Sequence, residues 1–117
     1  METAPRLLTP STRELVTRAG TEALLSAASS WEIAIKYALG RLALPQIPAV
    51  YVPERMRRSS LTPLPVEHAD ALAVATLPMH HGDPFDRMLI AQAQARRIPI
   101  VTRDDVFDRY DVEVIPA

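Results

Sequence analysis

Four short apolar runs, at residues 23–27, 61–64, 98–102 and 112–115, are separated by segments in which apolar residues return at helical spacing. That alternation is the tightest constraint on the fold. A strand that is apolar along its length has to be covered on both faces, and helices lying between such strands in sequence supply the cover. The expected architecture is α/β, a three-layer fold with a mainly parallel central sheet flanked by helices. At 117 residues there is material for one core, so a single domain over 1–117 is expected.

The local signals place the elements. Residues 5–10 predict an extended lead-in, and Pro10-Ser11 predicts a helix start, with Ser11 or Thr12 capping, Glu14 early, Leu15 and Val16 as apolar contacts and Gly20 as the stop. The 23–27 run reads as a strand buried on both faces. Ser29 and Glu32 have capping-box spacing, so a helix is expected from Ser29, with Ile33, Ala34, Tyr37 and Ala38 at helical spacing and Gly40 ending it. Residues 41–48 form a loop with two prolines. Residues 49–58 favour a helix begun or interrupted by Pro53, and Leu61 to Leu64 a strand weakened by Pro63, which lacks a ladder donor. A helix over 66–77 would carry Val66, Ala69, Leu72 and Ala73 around one side. Asp83-Pro84 opens a further helix running to near Arg97.

Composition removes several function classes. The chain is 48% hydrophobic and 23% charged, enough to bury a core. It has no cysteine, which excludes a disulfide framework, a thiolate zinc site and a cysteine nucleophile. A net charge of −1 argues against a broadly basic nucleic-acid coat, though a local basic surface remains open. The apolar runs are too short to span a membrane, and METAPRLLTPSTREL has no long apolar leader, so a soluble, cytoplasmic protein is expected. With three glycines there is no GxGxxG or GxxxxGK[ST] phosphate cradle, and Ser29 and Ser30 lack a nucleophile elbow.

Acidic residues are the best candidates for chemistry. In open α/β sheets, ligands bind outside the carboxyl ends of the strands. Glu32 follows the 23–27 strand, Asp86 opens the helix after Pro84, and Asp104 follows the 98–102 strand. Carboxylates meeting at one edge repel unless a cation lies between them, and hard oxygen donors suit Mg²⁺ or Mn²⁺. Each residue also has a structural explanation. Glu32 fits a capping box or an ion pair with Lys36, Asp83 fits an N-cap with Asp86 near the positive helix end, and Asp104 and Asp105 fit a turn. Spacing leaves both readings open. His80-His81 reads as a solvated loop or as hydrogen bonding at a pocket rim, His68 as a helix-surface residue, and Trp31 as a core anchor. Arg55, Arg57 and Arg58 read as a solvated face, or as a contact to a phosphate backbone or acidic partner.

Two stretches taken together are more specific. SAASSWEIAIKYALGRLALP, residues 26–45, and LPMHHGDPFDRMLIAQAQARRIPIVTRDDVFDRYDVEVI, residues 77–115, resemble the PIN-domain family, and within it the VapC-type toxins of toxin–antitoxin pairs. The resemblance runs from Leu24 to the C-terminus, with residues 46–65 carrying least. It implies an α/β divalent-metal-dependent endoribonuclease whose acidic cluster holds Mg²⁺ or Mn²⁺ and orients water for attack on an RNA phosphate. It places catalytic, metal-holding carboxylates on Glu32, Asp86 and Asp104, with Asp83 as an N-cap or accessory group near the metal and Thr102 and Arg103 beside the substrate phosphate or the Asp104 turn. It also implies a VapB-type antitoxin as partner and a homodimer.

One departure stands out. The family pattern opens with a buried strand ending in an aspartate, the first metal ligand, and this sequence shows neither; its start resembles what usually follows. Three expectations follow: an internal start, a shortened variant whose gap is filled by residues 5–9 or by a partner chain, or a catalytically inactive remnant that binds an antitoxin or a full-length relative. Glu2 is not expected to replace the lost ligand. A metal-dependent phosphatase or small-molecule hydrolase is the third class, supported by the acidic cluster alone.

Overall fold

The computed structural model describes residues 16–19 and 22–116. Its sheet has five strands in the order β3-β2-β1-β4-β5. They are β1 (Val16–Ala19), β2 (Glu22–Ser26), β3 (Leu61–Leu64), β4 (Ile100–Thr102) and β5 (Val114–Pro116). β2 pairs parallel with β3, and β4 with β5, while β1 runs antiparallel to both β2 and β4. Four strands therefore share one direction, and the mainly parallel α/β sheet stands. Their carboxyl ends lie along one sheet edge.

β1 is the main correction to the local reading. Val16 to Ala19 form a strand instead of the end of a helix, with Val16 opposite Leu25 on one side and Val101 on the other. The physical reason is non-local: β2 and β4 each present a row of backbone donors and acceptors toward the middle of the sheet, and a strand satisfies both rows where a helix satisfies neither. The middle of the sheet, between β2 and β4, is thus occupied by this antiparallel strand. The expected lead-in at 5–10, the helix start at Pro10 to Thr12, Glu2 and the Gly20 stop lie outside the described residues.

The helix α1 (Ala27–Ala38) begins two residues earlier than expected. Ser26 is its N-cap, with the hydroxyl accepting from Ala28 N at 3.0 Å, so the proposed Ser29–Glu32 capping box does not form. Its buried stripe is Ala28, Ser29, Glu32 and Ile33, leaving Ala34 and Ala38 exposed. Gly40 ends it with φ +72, and Arg41 N bonds Lys36 O at 2.9 Å, the closure that a left-handed residue permits. α2 (Pro48–Arg58) starts on one proline and carries Pro53 inside. β3 tolerates Pro63 because it lies at the sheet edge.

α3 (His68–Ala73) is shorter than the expected 66–77 helix and passes into a 3-10 turn over Val74–Thr76. Its expected apolar side faces outward: Leu72 is 73% exposed, and the buried residue is Asp70. α4 (Pro84–Arg96) begins where Asp83-Pro84 predicts, and a 3-10 turn over Asp105–Arg109 links β4 to β5. Adjacent β4 residues point to opposite sides. Val101 joins Leu25, Ile33, Leu42, Val52 and Leu61, whereas Ile100 joins Leu77, Leu89, Ile90, Ala93, Phe107 and Tyr110. β4 is thus buried on both faces, as an apolar strand requires.

Candidate functional site

The site is built on α1, α4 and the turn after β4. α1 leaves the carboxyl end of β2, which carries Glu32 into its second turn. Glu32 is 2% exposed and pairs with Lys36 Nζ at 2.8 Å, the ion pair that spacing allowed. α4 runs back toward the sheet's opposite edge, so its first turn lies beside the strand ends. There Asp83 is the N-cap, its Oδ1 accepting from Phe85 N at 2.9 Å and Asp86 N at 3.0 Å. Asp86, in that first turn, is 1% exposed, and its Oδ2 lies 3.4 Å from His81 Nε2.

Asp104 comes two residues after β4. Its N–H donates to Thr102 Oγ1 at 3.0 Å and its Oδ1 accepts from Val106 N at 3.1 Å, which caps the following 3-10 turn. Thr102, Arg103, Asp104, Asp105 and Asp108 line an open depression of about 320 Å³ at the ends of β4 and β5. Among the described residues no three acidic or histidine side chains converge as metal ligands would. The fit to a divalent ion is therefore one of donor type, hard carboxylate oxygens, without a closed cage among the described residues.

Burying a carboxylate is unfavourable unless its charge is compensated, and Lys36 and His81 take part in that compensation. The sequence leaves His81 between a solvated loop and hydrogen bonding at a pocket rim, and it shows none of its partners. Tyr110 Oη lies 2.7 Å from His81 Nδ1, across 29 residues of sequence. Arg87, 6% exposed, donates to Tyr110 Oη at 3.3 Å and to the carbonyls of Pro78 at 2.9 Å and Val74 at 3.2 Å. No short-range signal links these residues, because each contact is made by the fold.

Trp31 is not a core anchor. It is 62% exposed and meets Phe85 edge-on, with ring centroids 5.2 Å apart. With Ala28, Val66, Ala71, Phe85 and Met88 it lines an apolar hollow of about 470 Å³ between α1, α3 and α4. His68 and His80 are exposed, while Arg57 and Arg58 pair with Glu54 on an exposed face.

Among curated proteins, the chain is 55% identical over 58 residues to "Ribonuclease VapC16" of Mycobacterium tuberculosis (strain ATCC 25618 / H37Rv). That alignment takes in 50% of this chain and 41% of the relative, so the chain spans less than half the length of the curated protein it matches. No solved structure matches the chain significantly. The PIN domain pattern is matched over residues 9–113, nearly the whole length, and with the α/β sheet described above the chain belongs to the PIN-domain family.

Proposed function

We propose that this chain is a divalent-metal-dependent endoribonuclease, the toxin of a VapBC-type pair. It acts on RNA in the cytoplasm as a homodimer and is held by a VapB-type antitoxin. The observation that carries the reading is the pair of carboxylates, Glu32 and Asp86, buried to 2% and 1% exposure on helices that both begin at the carboxyl edge of the sheet. Similarity to a ribonuclease over half the chain supports it.

In this reading Glu32, Asp86 and Asp104 are the catalytic carboxylates and hold Mg²⁺ or Mn²⁺, with Asp83 as accessory. The ion would polarise the phosphodiester and lower the pKa of an attacking water. The protein's part is positioning. Asp83 pins the first turn of α4 and so sets where Asp86 points, Thr102 Oγ1 holds the backbone of Asp104, and Arg103 beside Asp104 is available to a phosphate. The test is Mn²⁺-dependent cleavage of a mixed RNA by the purified chain beside its Asp86→Asn and Asp104→Asn variants. Cleavage by the parent and its loss in both variants, with unchanged circular dichroism, is expected. Cleavage retained in both variants, or turnover of a small phosphate ester in place of RNA, sinks the reading.

A second reading, an inactive PIN-like protein that binds an antitoxin or a full-length relative, is favoured by the apolar hollow and the exposed Trp31 on its rim. It predicts a folded chain that does not cut RNA. Trp31, the sole tryptophan, would then report binding of a VapB-type antitoxin by a change in fluorescence.

A further inference from the structure

We infer that His81 is the positioning residue of Asp86, with its proton fixed on Nε2 by Tyr110 and Arg87. The inference rests on the reading above for its consequence in catalysis, but its geometry stands independently. Guanidinium nitrogens can only donate, so Arg87 Nη1, 3.3 Å from Tyr110 Oη, makes the phenol oxygen an acceptor. Tyr110 is 5% exposed, and His81 Nδ1 at 2.7 Å is the acceptor toward which its own proton turns. An imidazole that accepts at Nδ1 carries its proton on Nε2 when neutral. That nitrogen faces Asp86 Oδ2 at 3.4 Å, and an ionised carboxylate accepts only.

The Nε2–H tautomer satisfies both ends of the chain of contacts: the Tyr110 proton meets the Nδ1 lone pair while Arg87 occupies a phenol lone pair, and the Nε2 proton meets the Asp86 carboxylate. The opposite one would set the Nε2 lone pair against the Asp86 carboxylate. His81 is held in place by more than its ring nitrogens. Arg87 Nη1 also reaches the His81 carbonyl at 3.5 Å, and the His81 ring meets Tyr110 edge-on at a centroid separation of 5.4 Å. Asp86 is thereby held twice, through its backbone N–H by Asp83 and through its carboxylate by His81. Nδ1 of His81 is engaged by Tyr110 and Nε2 by Asp86, so both ring nitrogens serve this support. Partners of this kind, which orient a functional carboxylate or ligand, typically change activity or affinity by about 10- to 100-fold when removed.

The decisive experiment is long-range ¹H–¹⁵N correlation of the histidine rings in the full chain, about two pH units above the ordinary histidine value. The chain has three histidines, and the His81 signals are assigned by their absence in His81→Gln. His81 is expected as the Nε2–H tautomer, and Tyr110→Phe is expected to shift it toward a mixture while His68 stays unchanged. A wild-type His81 in the Nδ1–H form, or averaged between forms like an exposed histidine, overturns the inference. In a chain that cuts RNA, His81→Ala should lower kcat by about 10- to 100-fold with KM little changed, and His81→Gln, which keeps a donor, should recover part of the loss. Equal kcat for wild type and His81→Ala also overturns it. A folded wild-type chain that cuts no RNA refutes the ribonuclease reading instead, and the tautomer then decides the inference by itself.

Discussion

Gln92 ties the candidate site's two helices to the sheet, and replacing it should cost more than its uncharged side chain suggests. It is fully buried on α4. Its Oε1 accepts from Ser26 Oγ at 2.6 Å and its Nε2 donates to the Pro65 carbonyl at 3.1 Å. Ser26 is equally buried and caps α1 at the end of β2, so this one amide joins β2, α1, α4 and the segment after β3. Gln92→Leu preserves volume approximately and removes these two bonds together with the contact its amide makes to Asp70. Pro65 is exposed, so its carbonyl regains water and the loss there is about 1 kcal/mol. The buried Ser26 hydroxyl has no such recourse, and stranding its proton costs about 1–3 kcal/mol. The expected destabilisation is thus about 2–4 kcal/mol, a large share of the roughly 5–15 kcal/mol that holds a small domain together.

Ser26→Ala removes the cap of α1, worth about 1 kcal/mol, and strands the Gln92 oxygen. Because each single change leaves the other partner unsatisfied, the double variant should lose less than the two singles together, by about 1–2 kcal/mol. Urea denaturation followed by circular dichroism reads this as shifts in midpoint at constant slope. Two singles that add to within about 0.5 kcal/mol would refute the reasoning, since they would show that Ser26 and Gln92 do not depend on each other.

Asp70 makes a two-bond contact with Arg96, at 2.9 and 3.0 Å, and the Arg96 guanidinium is the main cause holding its carboxyl below the usual value. A lowered folded pKa contributes stability that is complete above the ordinary value of 3.8 and is lost as pH falls through the folded one. Acid should therefore lower the melting temperature of the parent more steeply than that of Asp70→Asn, which should itself be destabilised by about 1–3 kcal/mol at neutral pH; parallel pH profiles would count against the pair. Arg97 adopts φ 55 and ψ 47 just past α4, where Ile98 N bonds Ala93 O at 3.1 Å. Arg97→Gly should remove the left-handed strain and raise stability by about 0.5–1 kcal/mol, read as a higher urea midpoint, and a lower midpoint would contradict it. In RNA cleavage, Asp86→Asn and Asp104→Asn should each be inactive while melting near the parent temperature.

The features legible in the sequence are those set within a few residues. Asp83-Pro84 starts α4 because a carboxylate cap and a proline in the first turn satisfy that helix end locally, and Gly40 ends α1 because a left-handed residue is needed there. The apolar run at 98–102 holds the strand Ile100–Thr102, which is buried along its length, and that at 61–64 holds an edge strand. The Glu32–Lys36 pair follows from helical spacing alone. The order of the carboxylates along the chain, and with it the family, was readable in SxWEIAIK, DPFDRMLIAQA and VTRD.

What the tertiary structure decided are the contacts whose partners lie far apart. Val16 to Ala19 have local signals that suit the end of a helix, yet they pair with Leu25 on one side and Val101 on the other, because two strand edges in mid-sheet must be satisfied. Trp31 and Leu72 have core-like chemistry, but the buried faces of α1 and α3 were taken by Glu32 and Asp70, whose charges are met by partners inside. The line from Arg87 through Tyr110 and His81 to Asp86 has no periodic signature, since it is assembled from a helix, a turn after β4 and a loop. Propensity and spacing act over one or two turns of chain, whereas compensation of a buried charge depends on whichever donors folding brings beside it.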